Sequence, residues 1–154
     1  MNSILSTIIL LFSMALVAQN QEVEKQIVPP LEVTKQFQKA FPKIEPHWEK
    51  TYRGNDQTEL NYDADFIVNN IKMTAIYNVF GVFKVLHSEI SLAEIPVAAS
   101  KYLKKNYPEN QILDSMKVID NNNKVTYEIG IKINDQLSDA VFNNKGEFLE
   151  IVAK

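Results

Sequence analysis

Between Glu59 and Phe66 apolar and polar residues alternate: Leu60, Tyr62, Ala64 and Phe66 are interleaved with Glu59, Asn61, Asp63 and Asp65. The same alternation returns between Lys124 and Ile133, where Val125, Tyr127, Ile129, Ile131 and Ile133 are separated by Thr126, Glu128, Gly130 and Lys132. A period of two predicts a strand with one face in the core and the other in water. Each of these strands follows a stretch with a different rhythm. Leu31, Val33, Phe37, Ala40 and Phe41 fall at helical spacing between Pro30 and Pro42. Val97, Ala99, Ser100, Leu103 and Tyr107 do the same between Pro96 and Pro108. Proline is tolerated at a helix start, where its missing N–H has no helical partner, and it stops a helix that runs into it.

The two stretches are copies in outline. Pro30 to Pro42 aligns with Pro96 to Pro108 at an offset of 66, without a gap. Farther on the offset is 65. Leu60 matches Val125, Tyr62 matches Tyr127, and Phe66 matches Ile131; Tyr77-Asn78-Val79-Phe80-Gly81 matches Phe142-Asn143-Asn144-Lys145-Gly146, and Phe83 matches Phe148. Asn69-Asn70 and Asn134-Asp135 suit hairpin turns, and Gly81 and Gly146 suit turns that need positive φ. With first strands at His47 to Arg53 and Ile112 to Ile119, each unit reads as one helix followed by four antiparallel strands. The expected fold is α+β: a tandem duplication whose units join into one sheet with both helices on one face. Its repeats cover about 29–91 and 92–154.

Ahead of the domain, Ile4 to Val17 is an apolar run broken by Ser6, Thr7 and Ser13. It is short for a membrane span and suits a signal-peptide core, although Met1-Asn2-Ser3 adds no basic side chain and Leu16 is bulky for its place. Residues 1–18 are expected to be cleaved after Ala18, with 19–28 as a flexible lead to a single domain at 29–154. The protein is then periplasmic or secreted, with no membrane insertion after cleavage.

A Pro-led helix ending in aromatic-Pro, a Trp-bearing strand, Tyr62-x-Ala64-x-Phe66 and a Tyr77-Asn78-x-x-Gly81 turn, all recurring, resemble the PepSY-like family of exported bacterial proteins. The similarity spans about Val28 to Lys154. It implies the fold of the β-lactamase inhibitor protein, a tandem helix-plus-four-strand unit, and no established activity. Related inhibitors hold an enzyme on the open sheet face. The Val79-Phe80 pair before Gly81 departs from the polar turn usual in the family and puts two apolar side chains at a loop tip.

Composition narrows the chemistry. The chain of 154 residues has a net charge of −3, without the basic surplus of a nucleic-acid binder. It has no cysteine, hence no disulfide, thiol nucleophile or thiolate metal site. Its two histidines, His47 and His87, lack metal-ligand spacing, and no Gly-rich phosphate loop or Gly-x-Ser-x-Gly elbow occurs. Asp63 and Asp65 project to one strand face, which is read as solvated rather than as an acid–base or calcium pair. Lys101, Lys104 and Lys105 are read as charges of a wetted helix face. No cofactor, metal or catalytic residue is expected, and the protein is not expected to be an enzyme.

What remains is surface. If Met73, Ala75, Tyr77, Phe83 and Val85 face the helices, then Ile76, Val82 and Leu86 face away, as do Val141, Leu149 and Ile151. That is more apolar area than a solvated face needs and suggests a partner. The candidate surface is Trp48, Tyr52, Ile76, Val79, Phe80, Leu86, Val141, Leu149 and Ile151, although core packing is the preferred reading of Trp48. The expected function is a non-enzymatic, inhibitor-like binding module that takes a protein or peptide of the cell envelope. A small-molecule or envelope-polymer sensor using a pocket between the repeats is the alternative, and a self-associating, homo-oligomeric structural subunit another.

Overall fold

The computed structural model describes residues 26–54, 56–108 and 111–154; the expected signal peptide and residues 19–25 of the lead lie outside them. The order is α1 (Leu31–Ala40), β1 (His47–Arg53), β2 (Glu59–Val68), β3 (Ile71–Asn78), β4 (Phe83–Glu89), α2 (Val97–Asn106), β5 (Ile112–Asp120), β6 (Val125–Ile133), β7 (Gln136–Asn143) and β8 (Phe148–Ala153). All eight strands form one antiparallel meander in chain order, β1 to β8, so β4 and β5 zip the two halves into a continuous sheet.

Both helices lie on the same side of it. Under α1, Val33 and Phe37 pack on Tyr62, Ala64, Phe66, Ala75 and Tyr77. Under α2, Ala99 and Leu103 pack on Ile129, Ile131, Ala140 and Phe142. Residues directly opposite in adjacent strands share a face. The register Ala75–Leu86–Ile119–Val125 therefore carries the helix side across the seam. Leu31 and Val97, expected in the helical stripes, are exposed. Each stands two residues, about 200° of helix, before the buried Val33 or Ala99, so it cannot share their face.

The turns are built alike in both halves. Asn69-Asn70 and Asn134-Asp135 take left-handed φ at both positions, as a tight hairpin requires. In the second turn the Asn78 side chain accepts from the N–H groups of Phe80 and Val82, and Asn143 accepts from those of Lys145 and Glu147. Gly81 and Gly146 close these turns at φ of 77° and 81°. Their absent side chains also let the turn touch the helix start. A Cβ on Gly81 would sit 2.7 Å from the Glu32 carbonyl oxygen, and one on Gly146 would sit 2.7 Å from the Ala99 nitrogen.

Two β-bulges change what alternation predicts. Ile76 pairs with Val85 and Tyr77 with Phe83, leaving Lys84 unpaired. Val141 pairs with Glu150 and Phe142 with Phe148, leaving Leu149 unpaired. The extra residue reverses the facing of everything on one side of it. Val85 consequently lies on the open side, not under the helices. Leu86 packs into the first core. Ile151, opposite the buried Ala140, is on the helix side rather than the open one. Val82 precedes β4, in the turn, where its carbonyl accepts from Asn78.

Candidate functional site

The face away from the helices is the candidate site. Three registers cross it. One runs Asp63–Ile76–Val85–Asp120, the next Asp65–Thr74–His87–Val118–Thr126, and the third brings Met116, Glu128 and Val141 side by side. Ile76 is 1% exposed and Val118 6%, although no described helix or strand lies over this face. Val85 and Met116 are half-buried. Together they make an apolar band through the sheet centre, flanked by two charged clusters.

The cluster from the first half centres on Asp63, which is 6% exposed and not solvated as its place in the alternation suggests. Its carboxylate accepts from the Arg53 guanidinium at 2.6 Å and from the Thr51 hydroxyl at 2.8 Å, both on β1. A buried carboxylate needs such partners, since its desolvation is otherwise uncompensated. Beside it, Asp65 accepts from the Thr74 hydroxyl at 2.5 Å. The second cluster gathers Lys154, 2.9 Å from Asp139 and 3.9 Å from Asp114. Asp114 also accepts from the Gly130 N–H at 3.1 Å. A Cβ on residue 130 would meet the Asp114 carboxylate, so a larger residue there would have to push that side chain aside and break this contact.

His87 and Glu128 lie between the clusters without a salt bridge among the described residues. Burial lowers the pKa of His87 below the usual imidazole range, and the Arg53 charge lowers it further, against the opposing pull of Asp63 and Asp139. Burial raises that of Glu128, and the neighbouring Asp139 adds to the rise while Lys154 opposes it. Both shifts disfavour charge at the centre of the face. Among the described residues no three potential metal ligands converge. The face offers an apolar centre with fixed charges at its flanks, an arrangement suited to recognition.

Of the residues singled out in the sequence, Ile76 and Val141 lie on this face. Leu149 is the exposed, unpaired residue of the second bulge. Trp48 is on the helix side, packed edge-on against Phe37 at 5.4 Å between ring centroids. Tyr52 shares its side on the edge strand and is 60% exposed. Val79 packs against the first core, whereas Phe80 at the turn tip is 78% exposed. The structure therefore does not unite the nine into one surface. Val85, Met116 and Val118 belong to the face and are not among them. The alternation around Val118, between Lys117 and Ile119, does not by itself say which parity faces the helices.

No family model matches the chain, and no curated protein does. Solved structures do. A putative periplasmic protein from Bacteroides eggerthii DSM 20697 superposes with a TM-score of 0.65 at 15% identity, over 82% of this chain and 90% of its own. A DUF2874 family protein from Bacteroides ovatus ATCC 8483 gives 0.66 at 17%, over 82% and 89%. A BLIP-like protein from Bacteroides fragilis NCTC 9343 gives 0.63 at 14%, over 82% and 87%. Among the described residues no helix is long and apolar enough to cross a membrane. At such identities the likeness is one of backbone: the chain has the BLIP-like fold, two helices on one side of an eight-stranded antiparallel sheet.

Proposed function

We propose that this domain is an exported, non-enzymatic binding module that holds a protein or peptide of the cell envelope on the open face of its sheet. The observation that carries the reading is the half-exposed pair Val85 and Met116, backed by the buried Ile76, Val118 and Val141 and flanked by charges already fixed in place by Asp63–Arg53 and Asp139–Lys154. An apolar centre with a polar surround is the anatomy of a protein interface. Charges held in advance lose little freedom on binding. The reading takes the two halves as a PepSY-like tandem duplication and the protein as periplasmic, in keeping with the putative periplasmic neighbour. It also accords with the inhibitor-like use of an open sheet face that the family resemblance implies.

The test is a paired capture. The mature domain and its Val85→Lys/Met116→Lys variant are immobilised and exposed to the exported proteins of the native host. A protein retained by the first and lost from the second, with equal melting temperatures, supports the reading. Retention that ignores the two lysines places the binding elsewhere and removes the open face from consideration.

A further inference from the structure

Beside α2, on the flank facing the start of β5, lies a cleft of about 540 Å³ on the helix side of the sheet. Its walls are Ile95, Leu103, Tyr107 and Ile112, with Ser100 and Lys104 as its polar members. This is the size and make-up of a small-molecule site, apolar with few polar groups.

The corresponding place in the first half is filled. Within the helices and the segments leading into them the halves differ by 66 positions, so Phe37 corresponds to Leu103 and Ile27 to Ala93, which also lines the cleft. In the first strands the registers set the correspondence. Trp48 pairs with Ala64, and Ser115 pairs with Ile129, the counterpart of Ala64. Phe37 and Trp48 pack edge-on, and Ile27 packs against the same core. The second half has Ala, Leu and Ser in their places. The segment at Ile90 comes down onto the serine, whose hydroxyl donates to the Ile90 carbonyl at 2.6 Å, and recovers part of the lost volume.

The rim differs in charge as well. Gln38, the counterpart of Lys104, is tied down by donating to the Ile44 carbonyl at 3.0 Å, and Lys35, the counterpart of Lys101, pairs with Glu32. On α2, Lys101, Lys104 and Lys105 take part in none of the ion pairs among the described residues. Glu94, in the segment before the helix, is engaged by the Ser91 hydroxyl and N–H. An apolar hollow thus opens beside Lys104, which takes part in none of the ion pairs among the described residues.

We infer that this cleft binds one long-chain carboxylate in monomeric form, its apolar body between Leu103, Tyr107 and Ile112 and its carboxylate against Lys104. The site is separate from the open face and does not depend on what that face holds.

Calorimetric titration of the mature protein with dodecanoate, below its micelle concentration, tests this. The expected result is one site per chain and a melting temperature that rises with ligand. Lys104→Gln should weaken binding about fivefold, as should replacing dodecanoate by uncharged dodecanol, because each removes one charge-assisted contact at a partly wetted rim. Leu103→Phe and Ala93→Ile each restore a first-half residue and should abolish binding without lowering the unliganded melting temperature. Should Leu103→Phe fail to fold, Ala93→Ile carries the test alone. Val85→Lys on the open face should leave dodecanoate binding unchanged. Absence of a one-to-one site overturns the inference, as does full affinity in Ala93→Ile. Loss of binding in Val85→Lys moves the ligand to the open face and has the same effect. Binding to phosphatidylglycerol vesicles but not to monomeric dodecanoate would make the region a membrane-docking patch and equally overturn it.

Discussion

In the first half the flank of the helix beside β1 is closed by rings: Phe37 meets Phe41, Trp48 and Phe66, all with centroids between 5.2 and 5.4 Å away. In the second half that flank is the cleft, and the rings gather on the other side of the helix. Tyr102 lies parallel on Phe148 at 4.7 Å and meets Phe142 edge-on. The position of Tyr102 is Gln36 in the first half, where a cleft of about 400 Å³ opens beside Phe83 and Tyr77. Each half therefore fills one flank of its helix and leaves the other. The open face shows the same kind of divergence. Asp63 and Glu128 occupy equivalent places on β2 and β6. Around Asp63 stand Thr51 and Arg53; in the same register around Glu128 stand Val118 and Asp120. Matching strands, turns and bulges thus tolerate opposite choices of side chain. The shared features hold the backbone, and the individual ones shape what each surface can recognise.

The largest effect should come from opening the flank that the first half closes. Trp48→Ala removes an indole packed on Phe37 and should cost about 2–3 kcal/mol, less than a fully buried ring because Trp48 is partly exposed. At the equivalent place Ser115→Ala loses one hydrogen bond to a loop carbonyl and should cost about 1 kcal/mol. Urea unfolding of the two variants measures the contrast. Equal losses would mean that the Ile90 segment replaces the tryptophan fully and that the flanks differ less in energy than in shape.

Next in size is the Asp63 cluster. Arg53→Met leaves a buried carboxylate with only Thr51 as partner and should cost about 2 kcal/mol, discounted from a fully buried pair because the guanidinium is half in water. Lys154→Met in the second cluster should cost about 1 kcal/mol or less, since both Lys154 and its neighbour Asp114 are well exposed. The same unfolding measurement decides. A Lys154 variant that suffers as much as the Arg53 variant would show the second cluster to be as tightly desolvated as the first.

Much of this arrangement is written in local spacing. The alternation at Leu60 to Phe66 and Val125 to Ile133 places two central strands. The Asn and Gly turns place the hairpins, and the first strand falls at His47–Arg53 as its composition suggests. The facing of β4 and β8 is not legible, because Lys84 and Leu149 look like ordinary members of an alternating run. Their status as bulge residues is set by the partner strand and by the closeness of Gly81 and Gly146 to the helices. For this reason Leu86 and Ile151 read as open-face residues and are not, while Ile76 and Val141, on strands opposite the bulges, read correctly. The burial of Asp63 escapes for a related reason. Its partners lie on β1, and their alignment with it depends on a register that no local pattern encodes. In the second half an extra bulge at Leu113 shifts that register, so the counterpart of Trp48 is Ser115.

The smallest expected effects concern the two groups at the centre of the face. His87, with its pKa lowered chiefly by burial, takes up a proton less readily folded than unfolded. Stability should therefore fall as pH drops below 6.5 and level off beneath the folded value. Glu128 runs the other way. Its pKa is raised, again chiefly by burial, so its contribution is full below 4.5 and is lost as pH rises through the folded value. His87→Gln should accordingly gain on the native protein at pH 5 relative to pH 7, and Glu128→Gln should gain at pH 7 relative to pH 4. Urea midpoints across that range measure both. The Glu128 result bears most directly on the comparison of the halves. A Glu128→Gln variant whose midpoint tracks the native one at every pH would mean that partners on the face offset the burial of this carboxylate. The two halves would then differ on the open face in their residues but not in their electrostatics.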